Sequence, residues 1–464
     1  MNALVKKGDV IELTIEKMAI GGFGIARLDR YVIFVKGAVA GDKVKARIYK
    51  KKKDYAEAKV LEVITPSINR VEAKCMYFNH CGGCQWQHIK YEAQLDYKHM
   101  LVEETISKLG KFHDVPVLET IPSPEIFGYR NKMEFTFSNK PWVIPYTEQS
   151  QKPPFALGLH IPGSFDRVID IKSCLLQPSK GNEILDVVRQ YVRKTEIPVY
   201  DMKNHTGFWR FLTLRNSKAF GDWMVNIITS DEAQQVIAPL AEEICKKVSG
   251  IKTVLNNISK KKAAVAIGDK EVIMYGEGYI EDKIGDFVFR ISANSFFQTN
   301  PKGAEKLYDK VKEYAELSGT EEILDLYSGT GTIPIFLSKQ AKRIIGIEIN
   351  EDAVKDARKN CELNGIDNCV FIVGDIRETL SEVDSKIKPD VVIADPPRPG
   401  IHKDVLKGII EMGAKRLIYV SCNPATMARD LSILSQSYEI KEIQPVDMFP
   451  HTHHIEIVAK CVKK

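Results

Sequence analysis

The sequence predicts a multidomain protein: a small N-terminal OB-like β-barrel, a central α+β domain, and a C-terminal α/β domain with a Rossmann-like, doubly wound sheet. Three observations support this prediction. Short β-rich runs separated by glycine turns fill residues 1–66. Strands and helices are mixed over 67–285, where a helix near 91–110 could pack on the C-terminal domain. From 286 to 464, apolar strands alternate with amphipathic helices, which is typical of a parallel sheet.

The composition is that of a globular protein whose excess positive charge lies at its N-terminus. Hydrophobic residues make up 44% and charged residues 27%, which excludes a disordered, collagen-like or coiled-coil chain. Residues 1–65 contain 14 Lys and Arg against 8 Asp and Glu, a net charge of +6, so the rest of the chain carries −1 of the overall +5. This distribution predicts either a nucleic-acid-binding appendage on a near-neutral body or a solvated basic hairpin.

We expect a cytoplasmic protein with no membrane association. No uncharged run approaches the ~20 apolar residues that a membrane span requires, and residues 1–13 lack the apolar core of a secretion signal. Nine cysteines are an odd number for a disulfide framework. The cysteines are therefore expected to be reduced thiols, metal ligands or nucleophiles.

The N-terminal domain is predicted to be a barrel of short strands. β-rich or alternating segments lie at 10–15, 31–35, 44–49 and near 58–63, and turns that contain glycine separate them. A Thr-Pro-Ser breaker cluster ends the domain. Short strands at this spacing over about 60 residues suit an OB-like barrel, a fold that commonly holds single-stranded nucleic acid.

Cysteines in the central domain have the spacing of a metal site. Cys75, Cys81 and Cys84 lie in one irregular stretch, and Cys174 is the natural candidate for a fourth ligand. Four thiolates suit either zinc or a [4Fe–4S] cluster. A zinc ribbon normally has two Cys-x-x-Cys pairs and this chain has one, which favours iron–sulfur and leaves zinc as the alternative.

The C-terminal domain places polar groups at the ends of its first three strands. The first strand runs into the glycine turn 327–332, the second ends in Glu348, about 20 residues after the glycines, and the third is followed by Asp375. Parallel strands bring such groups to one edge of a sheet, where glycines admit a ligand and carboxylates accept ribose hydrogen bonds. These features predict a nucleoside pocket, and a nicotinamide dinucleotide is one candidate ligand.

The fourth strand favours a different ligand. It ends in Asp395-Pro396-Pro397, and Asp-Pro-Pro at a strand end is typical of S-adenosylmethionine enzymes that methylate a flat base. The two prolines fix the backbone so that the carboxylate and nearby carbonyls face the methyl donor. Pro334 stands where the dinucleotide fingerprint has its third glycine, which disfavours the dinucleotide.

A cysteine follows the fifth strand at the start of a predicted helix. Cys422 precedes Asn423, a good N-cap, and Pro424, which suits the first helical position. We expect Cys422 at the switch point of the sheet, where the helix dipole lowers the thiol pKa and favours the thiolate. A small buried cysteine is the ordinary alternative, but the neighbouring Asp-Pro-Pro and glycine loops favour a nucleophile.

A thiolate suits methylation of a pyrimidine carbon better than methylation of an amine. Carbon-5 of uracil is a poor nucleophile, but thiolate addition at carbon-6 makes the ring an enolate whose carbon-5 can attack a methyl group. A base must then remove the carbon-5 proton before the thiolate is expelled. Glu456 lies in an apolar strand, where burial would raise its pKa, and it is the candidate base.

These motifs resemble those of the bacterial RNA uridine-5-methyltransferases, specifically the 23S ribosomal RNA type with a TRAM domain and an iron–sulfur cluster. The resemblance covers nearly the whole chain. The matching motifs are Phe-Gln-Thr-Asn-Pro at 297–301, Asp-Leu-Tyr-Ser-Gly-Thr-Gly at 325–331, Asp-Pro-Pro-Arg at 395–398, Ser-Cys-Asn-Pro at 421–424 and His-Thr-His-His-Ile-Glu at 451–456.

The resemblance implies a role for each candidate residue. Cys422 would be the nucleophile and Glu456 the base, and the four central cysteines would hold a [4Fe–4S] cluster. The N-terminal barrel would be a TRAM domain. The residues that it implies at the S-adenosylmethionine site are Gln298, Tyr327, Glu348, Asp375 and Asp395.

The expected function is transfer of a methyl group from S-adenosylmethionine to carbon-5 of a uridine in 23S ribosomal RNA. The uridine must be flipped out of its stack to reach Cys422, and the N-terminal domain would bind flanking RNA. No obligate protein partner is evident. A tRNA uridine-5-methyltransferase shares the chemistry and is the main alternative. An amino-methyltransferase would leave Cys422 and Glu456 idle, and a non-catalytic RNA-binding protein would leave the cofactor pocket unexplained.

Overall fold

Three successive parts of the chain each build a β-sheet, and helices cover the second and third sheets. The structure is a computed structural model, and it describes residues 5–144, 153–384 and 388–464. Within these ranges, no helix is long and apolar enough to cross a membrane.

The N-terminal domain is a strongly curled sheet. Its strands pair in the order β1-β5-β6-β4-β3-β2, and the Glu16 amide donates to the Ile25 carbonyl at 2.7 Å, which joins the end of β1 to β3. Inward side chains alternate along β5, where Val44, Ala46 and Ile48 are buried, as the period of a barrel strand predicts. The strands are β1 (Val10–Thr14), β2 (Lys17–Met18), β3 (Gly24–Leu28), β4 (Tyr31–Lys36), β5 (Lys43–Lys51) and β6 (Tyr55–Thr65).

An irregular segment and one long helix follow the barrel. Residues 67–90 contain the first three cysteines of the predicted metal site and form turns rather than regular elements. Helix α1 (Tyr91–Gly110) has the bounds that its apolar spacing predicts. It ends at Lys111, which adopts a left-handed conformation with a φ of 60°.

The central domain is a mixed sheet with helices on one face. The strand order is β13-β12-β11-β10-β7-β8-β9, and the described pairs are antiparallel except β11 with β12. Met133, Phe135, Leu212 and Leu214 alternate along two neighbouring strands and pack in the core beneath the helices. The elements are β7 (Lys132–Ser138), β8 (Ala156–His160), β9 (Val168–Asp170), α2 (Ser179–Thr195), β10 (Trp209–Asn216), β11 (Trp223–Thr229), α3 (Gln234–Lys247), β12 (Ile251–Ile258) and β13 (Lys270–Tyr275).

The C-terminal domain has the doubly wound sheet that alternation of strands and helices predicts. After the hairpin β14 (Tyr279–Ile284) and β15 (Phe287–Ser292), the sheet has the order β18-β17-β16-β19-β20-β22-β21. Strands β16 to β20 are parallel, and β22 runs antiparallel between β20 and β21. The elements are α4 (Pro301–Ala315), β16 (Glu322–Leu326), α5 (Thr332–Leu337), β17 (Arg343–Glu348), α6 (Glu351–Leu363), β18 (Cys369–Val373), α7 (Ile376–Asp384), β19 (Val391–Ala394), α8 (Lys403–Met412), β20 (Arg416–Ser421), α9 (Pro424–Leu434), β21 (Tyr438–Val446) and β22 (Glu456–Lys463).

Two packing contacts join parts of the chain that lie far apart in sequence. The expected boundary between residues 285 and 286 falls in the turn of the β14–β15 hairpin, whose Ile280 and Phe289 share a core with α4 and β16. Helix α1 packs on α9, and its Val102 and Ile106 belong to the core of the C-terminal domain. The segment that carries the cysteines is therefore attached directly to this domain.

Candidate active site

Six of the predicted site residues lie in a row at one edge of the C-terminal sheet. This is the edge at which parallel strands β16 to β20 end, so the strand order fixes the order of the row. The strand order reverses between β16 and β19. The sequence predicted Cys422 at this switch point, but Cys422 follows β20 and so lies one strand beyond it. From β18 to β22 the row consists of Asp375, Glu348, Tyr327, Asp395, Cys422 and Glu456.

Cys422 and Glu456 lie opposite each other on adjacent antiparallel strands. Ser421, the last residue of β20, pairs with Ile457 of β22. The next residue along each strand is Cys422 on one side and Glu456 on the other. Because opposite residues of antiparallel strands have Cα atoms about 4.5–5.5 Å apart, the strand pairing brings the predicted nucleophile next to the predicted base.

Cys422 is fixed just outside the N-terminus of α9. The Asn423 side-chain oxygen accepts a hydrogen bond from the Ala425 amide at 3.1 Å, and Pro424 opens the helix, as the sequence predicts. The Asn423 amide donates to the Ser421 hydroxyl oxygen at 3.1 Å. These contacts hold the backbone on both sides of the thiol.

The pKa of Cys422 is raised, although its position before a helix predicts a lowered one. Burial raises the pKa of this thiol, and the charges of Glu456 and Asp395 raise it further. Arg398 acts in the opposite direction and lowers the pKa. The prediction of a lowered pKa is therefore wrong, because burial and two carboxylates outweigh the end of the helix.

Glu456 has the raised pKa that an apolar strand predicts. Burial raises its pKa well above the ordinary value, and the negative charge of Asp395 adds to this effect. The charge of Arg398 again opposes the shift. Arg398, to which the sequence analysis assigned no role, is thus the cation that acts on both Cys422 and Glu456.

A buried carboxylate that the sequence did not single out lies at the same edge. Asp325 in β16 is 1% exposed, and neither of its carboxylate oxygens has a hydrogen-bond partner in the described part of the chain. Burial raises its pKa well above the ordinary value, and Asp395 and Glu348 raise it further. S-adenosylmethionine carries a sulfonium and an ammonium group, so these residues fit it. The sequence signal that could have identified Asp325 is an ionisable side chain inside an apolar strand.

Glu348 holds the glycine turn after β16. One of its carboxylate oxygens accepts a hydrogen bond from the Gly329 amide at 3.0 Å, and the other accepts one from the Asn350 amide at 2.9 Å. Tyr327 enters the turn with a φ of 66°, a conformation that is uncommon outside glycine and clusters at functional sites. At Gly331 a Cβ would lie 2.7 Å from a ring carbon of Phe371, so only glycine fits there.

Gln298 contacts a tyrosine on which the charges of Asp395 and Asp325 act. Its side chain hydrogen-bonds to the Tyr308 hydroxyl, which also lies 2.8 Å from the Thr332 hydroxyl. The charges of Asp395 and Asp325 contribute to a raised pKa of Tyr308. One amide, two hydroxyls and two carboxylates therefore surround the same part of the cleft.

Asp375 lies at the far end of the row and is already engaged within the chain. Its carboxylate forms an ion pair with the Arg377 guanidinium and accepts a hydrogen bond from the Arg377 amide. These contacts lower the pKa of Asp375 to about 2. Asp375 is thus ionised at neutral pH, and a ligand would meet it together with Arg377.

A second region contains the four cysteines predicted as metal ligands. Burial raises the pKa of Cys81 and of Cys84 to about 12, and neighbouring cysteines add to each shift. The Gly83 amide donates to the Cys81 sulfur at 3.3 Å, and the Gln87 side chain donates to the Cys84 sulfur at 3.2 Å. Among the described residues, no group of three or more His, Cys, Asp or Glu side chains is arranged to hold a metal ion. One cavity of about 490 Å³ is lined by Cys75, Cys81, Cys84 and Cys174.

The segment after the cysteines holds the loop that precedes Glu456. The amides of Gln85 and Trp86 both donate to the His451 carbonyl, at 3.0 and 2.9 Å. The side-chain oxygen of Gln94 in α1 accepts a hydrogen bond from the His451 amide at 2.8 Å. Phe127 stacks on the His451 ring with the centroids 4.3 Å apart. The cysteine segment and the active-site loop are therefore tied together at His451.

A buried ion pair strengthens the same connection. The Lys98 ammonium of α1 lies 2.6 Å from the Asp447 carboxylate, and both side chains are fully buried. The Tyr91 hydroxyl donates to the second Asp447 oxygen at 2.9 Å. The Lys98 ammonium also donates to the Phe449 carbonyl at 3.2 Å. None of these long-range contacts has a signal in the sequence.

The fold and this site define a methyltransferase joined to an OB-like barrel. Residues 235–463 match the family model for tRNA (Uracil-5-)-methyltransferase, and residues 4–61 match the model for the TRAM domain. An uncharacterised RNA methyltransferase from Chlorobaculum tepidum is 41% identical over 98% of this chain and 96% of its own length. Another from Halalkalibacterium halodurans is 41% identical over 98% of both chains.

A solved structure supports the same assignment. The tRNA (uracil-54, C5)-methyltransferase of Pyrococcus abyssi, in complex with S-adenosyl-L-homocysteine, is 30% identical and has a TM-score of 0.76. The match covers 97% of this chain and 100% of that one. The chain belongs to the TRAM-containing RNA uracil-5-methyltransferases. It is an S-adenosylmethionine-dependent RNA methyltransferase, which confirms the resemblance found in its motifs.

Proposed function

We propose that the protein methylates carbon-5 of a uridine in 23S ribosomal RNA through a covalent bond between Cys422 and carbon-6. The observation that supports this most strongly is the strand pairing that sets Cys422 opposite Glu456. Methylation of an exocyclic amine requires neither a thiol nor a second base, whereas methylation of carbon-5 requires both.

The residues divide the reaction between them. The Cys422 thiolate adds to carbon-6, and the electron pair of the 5,6 double bond moves to give the enolate. Carbon-5 would then bond to the methyl carbon as the bond from that carbon to the sulfonium sulfur of S-adenosylmethionine breaks, which leaves the electron pair on sulfur and S-adenosylhomocysteine as the leaving group. Glu456 takes the carbon-5 proton, the electrons of that C–H bond restore the double bond, and the thiolate is expelled. Arg398 stabilises the thiolate both before attack and after expulsion, because its charge lowers the pKa of Cys422.

The cofactor cleft consists of the residues around Asp325. S-adenosylmethionine supplies the electrophilic methyl group when it is bound. Asp325 and Asp395 present buried carboxylates to a cationic ligand, and burial raises the pKa of Asp395 to about 6. Glu348 orders the glycine turn, and Gln298 is held by its hydrogen bond to Tyr308. Asp375 lies at the rim and would contact the distal part of the ligand.

The target uridine reaches this site only when it leaves its stack. Phe296 is 68% exposed beside the cleft, whereas Phe297 is buried in the core. Phe296 could therefore stack on a base and Phe297 could not. On the TRAM domain, Lys45 and Arg47 are exposed on one face of β5, where they would contact RNA phosphates.

Labelling of total RNA tests the reaction and its substrate together. The protein would be incubated with tritiated S-adenosylmethionine and RNA from a strain that lacks it, and 23S RNA and tRNA would then be separated and digested to nucleosides. We expect label in 5-methyluridine of 23S RNA. Label in tRNA would support the main alternative, which the name of the Pyrococcus abyssi relative favours. Label on an exocyclic amine would contradict the mechanism.

We also propose that the four central cysteines hold a [4Fe–4S] cluster. Four thiols line a single cavity, and N–H groups donate to two of the sulfurs, as is common around iron–sulfur clusters. When bound, a cluster of this kind supplies four coordination positions that join the cysteine segment to Cys174. Protein purified without oxygen should absorb in the visible range. A colourless protein loaded with zinc would refute the cluster.

A further inference from the structure

A second cavity lies on the face of the central sheet opposite α2 and α3. Its volume is about 360 Å³, which is in the range of small-ligand pockets. Strands β7 and β10 form its floor, where Thr136 pairs with Phe211 and Glu134 pairs with Thr213. Residues 264–267 form one wall. Glu134 and His160 also line the cysteine cavity, so the two cavities adjoin, but none of these residues belongs to the row at the edge of the C-terminal sheet.

The floor of this cavity carries polar atoms without partners. Thr213 is 2% exposed, and its hydroxyl has no hydrogen-bond partner in the described part of the chain. The Nε2 atom of His160 lies 3.0 Å from the Thr136 hydroxyl, and no described residue hydrogen-bonds to its Nδ1 atom. Because buried polar groups are normally satisfied, these atoms indicate a site for a polar ligand.

Apolar and positively charged groups surround these atoms. The Phe211 ring lies at the floor, and Val265 and Ile267 in the wall are 39% and 48% exposed. The same loop begins with three exposed lysines at 260–262, of which Lys261 pairs with Asp269. Hydrogen-bonding groups between apolar surfaces match the edge and the faces of a nucleotide base, and the lysines precede the wall directly in the chain.

The cavity is connected to the active site by a short fixed segment. Ala293 lines the cavity and lies five residues before Gln298 in the cofactor cleft, a span of at most about 17 Å. Arg215 of β10 donates to the carbonyls of Ala293 and Ser295, which fixes this segment on the sheet. The exposed Phe296 lies between Ala293 and Gln298 in the chain.

We propose that this cavity binds the base of a second unpaired nucleotide of the RNA substrate, distinct from the uridine that is methylated. This inference rests on the proposed function, because it requires the RNA to lie across the active-site edge. A base in the cavity would supply partners for Thr213 and His160. It would also keep the RNA near the target uridine unpaired. The enzyme would then select RNAs that have an unpaired nucleotide close to the target uridine.

Substitution of Thr213 tests the cavity without requiring turnover. Thr213→Leu fills the cavity, and Thr213→Val removes only the hydroxyl. In a Cys422→Ala background, we expect Thr213→Leu to raise the Kd for unmodified 23S RNA by about 5- to 100-fold, the range typical of one lost base contact. Thr213→Val should raise it by about 2- to 10-fold. The Kd for S-adenosylmethionine should not change, and Thr105→Val on α1 is the matched control.

Abasic substitutions identify the nucleotide. In a transcript that contains the methylated uridine, one abasic position other than the target should weaken binding to the Cys422→Ala protein. The same abasic position should have no further effect when Thr213→Leu is also present, because both changes remove one contact. An additive effect at every abasic position would contradict the proposal.

The outcomes distinguish this inference from the proposed function. If the unsubstituted protein places no label in 5-methyluridine of any RNA, the proposed function fails. If it does place label there, and folded Thr213→Leu protein binds the labelled class of RNA within twofold of its parent, only the cavity proposal is overturned. If Thr213→Leu does not fold, Thr213→Val is used instead, provided that its melting temperature equals that of its parent. Binding of the labelled class of RNA within twofold of the parent would then overturn the cavity proposal.

Discussion

Two groups of cysteines in this chain lie in opposite surroundings. Cys422 faces charged side chains, with Glu456 and Asp395 raising its pKa and Arg398 lowering it. The four central cysteines line one cavity, and burial raises the pKa of Cys81 and Cys84 to about 12. The pKa of Cys422 thus responds to charged side chains of the chain, whereas the central thiols would need the added cation of the proposed cluster in order to ionise.

This difference matches the covalent role proposed for Cys422 and the coordination proposed for the central cysteines. A nucleophile that adds to a ring and is later expelled must be stable enough as a thiolate in both steps, and Arg398 provides a cation at the site. A ligand thiol has no need to leave, and its cost of ionisation is met when a metal group binds. The two groups remain connected, because the cysteine segment contacts the loop before Glu456 through His451.

The largest expected effect is the loss of methylation when Cys422 is substituted, which should leave the four central cysteines unaffected. Cys422→Ala should reduce methylation by more than about 10⁴-fold, because the substitution removes the nucleophile. It should leave unchanged the affinity for S-adenosylmethionine and the visible absorbance expected of the proposed cluster. Cys245→Ala on α3, which removes a half-buried thiol far from either site, is the control. A Cys422→Ala enzyme of normal activity would overturn the mechanism.

Glu456→Gln should stop the reaction after the methyl group has been transferred. The amide cannot accept the carbon-5 proton, so turnover should fall by about 10²- to 10⁴-fold and an RNA–protein adduct should accumulate. The adduct would be visible as labelled RNA that migrates with the protein on a denaturing gel. Glu439→Gln on β21, at an exposed position, should form no adduct. Slow turnover of Glu456→Gln without any adduct would argue for another base.

The site row was predictable because parallel strands bring their ends together. Glu348, Asp395 and Cys422 each follow an apolar strand directly, so their common edge follows from local patterns. The partner strand of Cys422 was not predictable, because β22 is last in the chain and inserts between β20 and β21. Asp325 was noted only as part of the glycine-turn motif. Its burial was not predicted, because it depends on the strands on both sides of β16.

Long-range polar contacts were equally hidden from the sequence. Lys98 and Asp447 are 349 residues apart, and each looks like an ordinary surface charge in its own segment. The cavity above Thr213 forms because the loop 264–267 folds over the sheet, and no local pattern indicates this fold. The pKa of Cys422 was predicted in the wrong direction because a helix end is local, whereas the two opposing carboxylates arrive from other strands.

The link between the two regions should be a major source of stability. Lys98→Met leaves the Asp447 carboxylate buried without its cation, and we expect a loss of about 3–5 kcal/mol in the free energy of unfolding. Lys17→Met breaks a partly exposed pair with Glu104 on the same helix and should cost less than about 1 kcal/mol. Urea unfolding of both variants provides the comparison. Equal losses would show that the buried pair contributes no more than a surface contact.

The smallest predicted effect concerns the charge that distinguishes Cys422 from the central thiols. Arg398 lowers the pKa of both Cys422 and Glu456, so Arg398→Gln should raise both values. The reaction requires thiolate and carboxylate, and each is depleted at low pH when its pKa rises. The ascending limb of the pH–rate profile should therefore move to higher pH, by about half a unit for an exposed charge, which is roughly a threefold loss on that limb.

The same profile contains its own control. Above the limb the rate of Arg398→Gln should equal that of the parent, because both groups are then ionised in either protein. Arg398→Lys keeps the charge and should restore the position of the limb. A uniform loss of rate at every pH would instead indicate that Arg398 contacts the RNA. The charge of Arg398 would then not be what distinguishes Cys422 from the four cysteines that line the cavity.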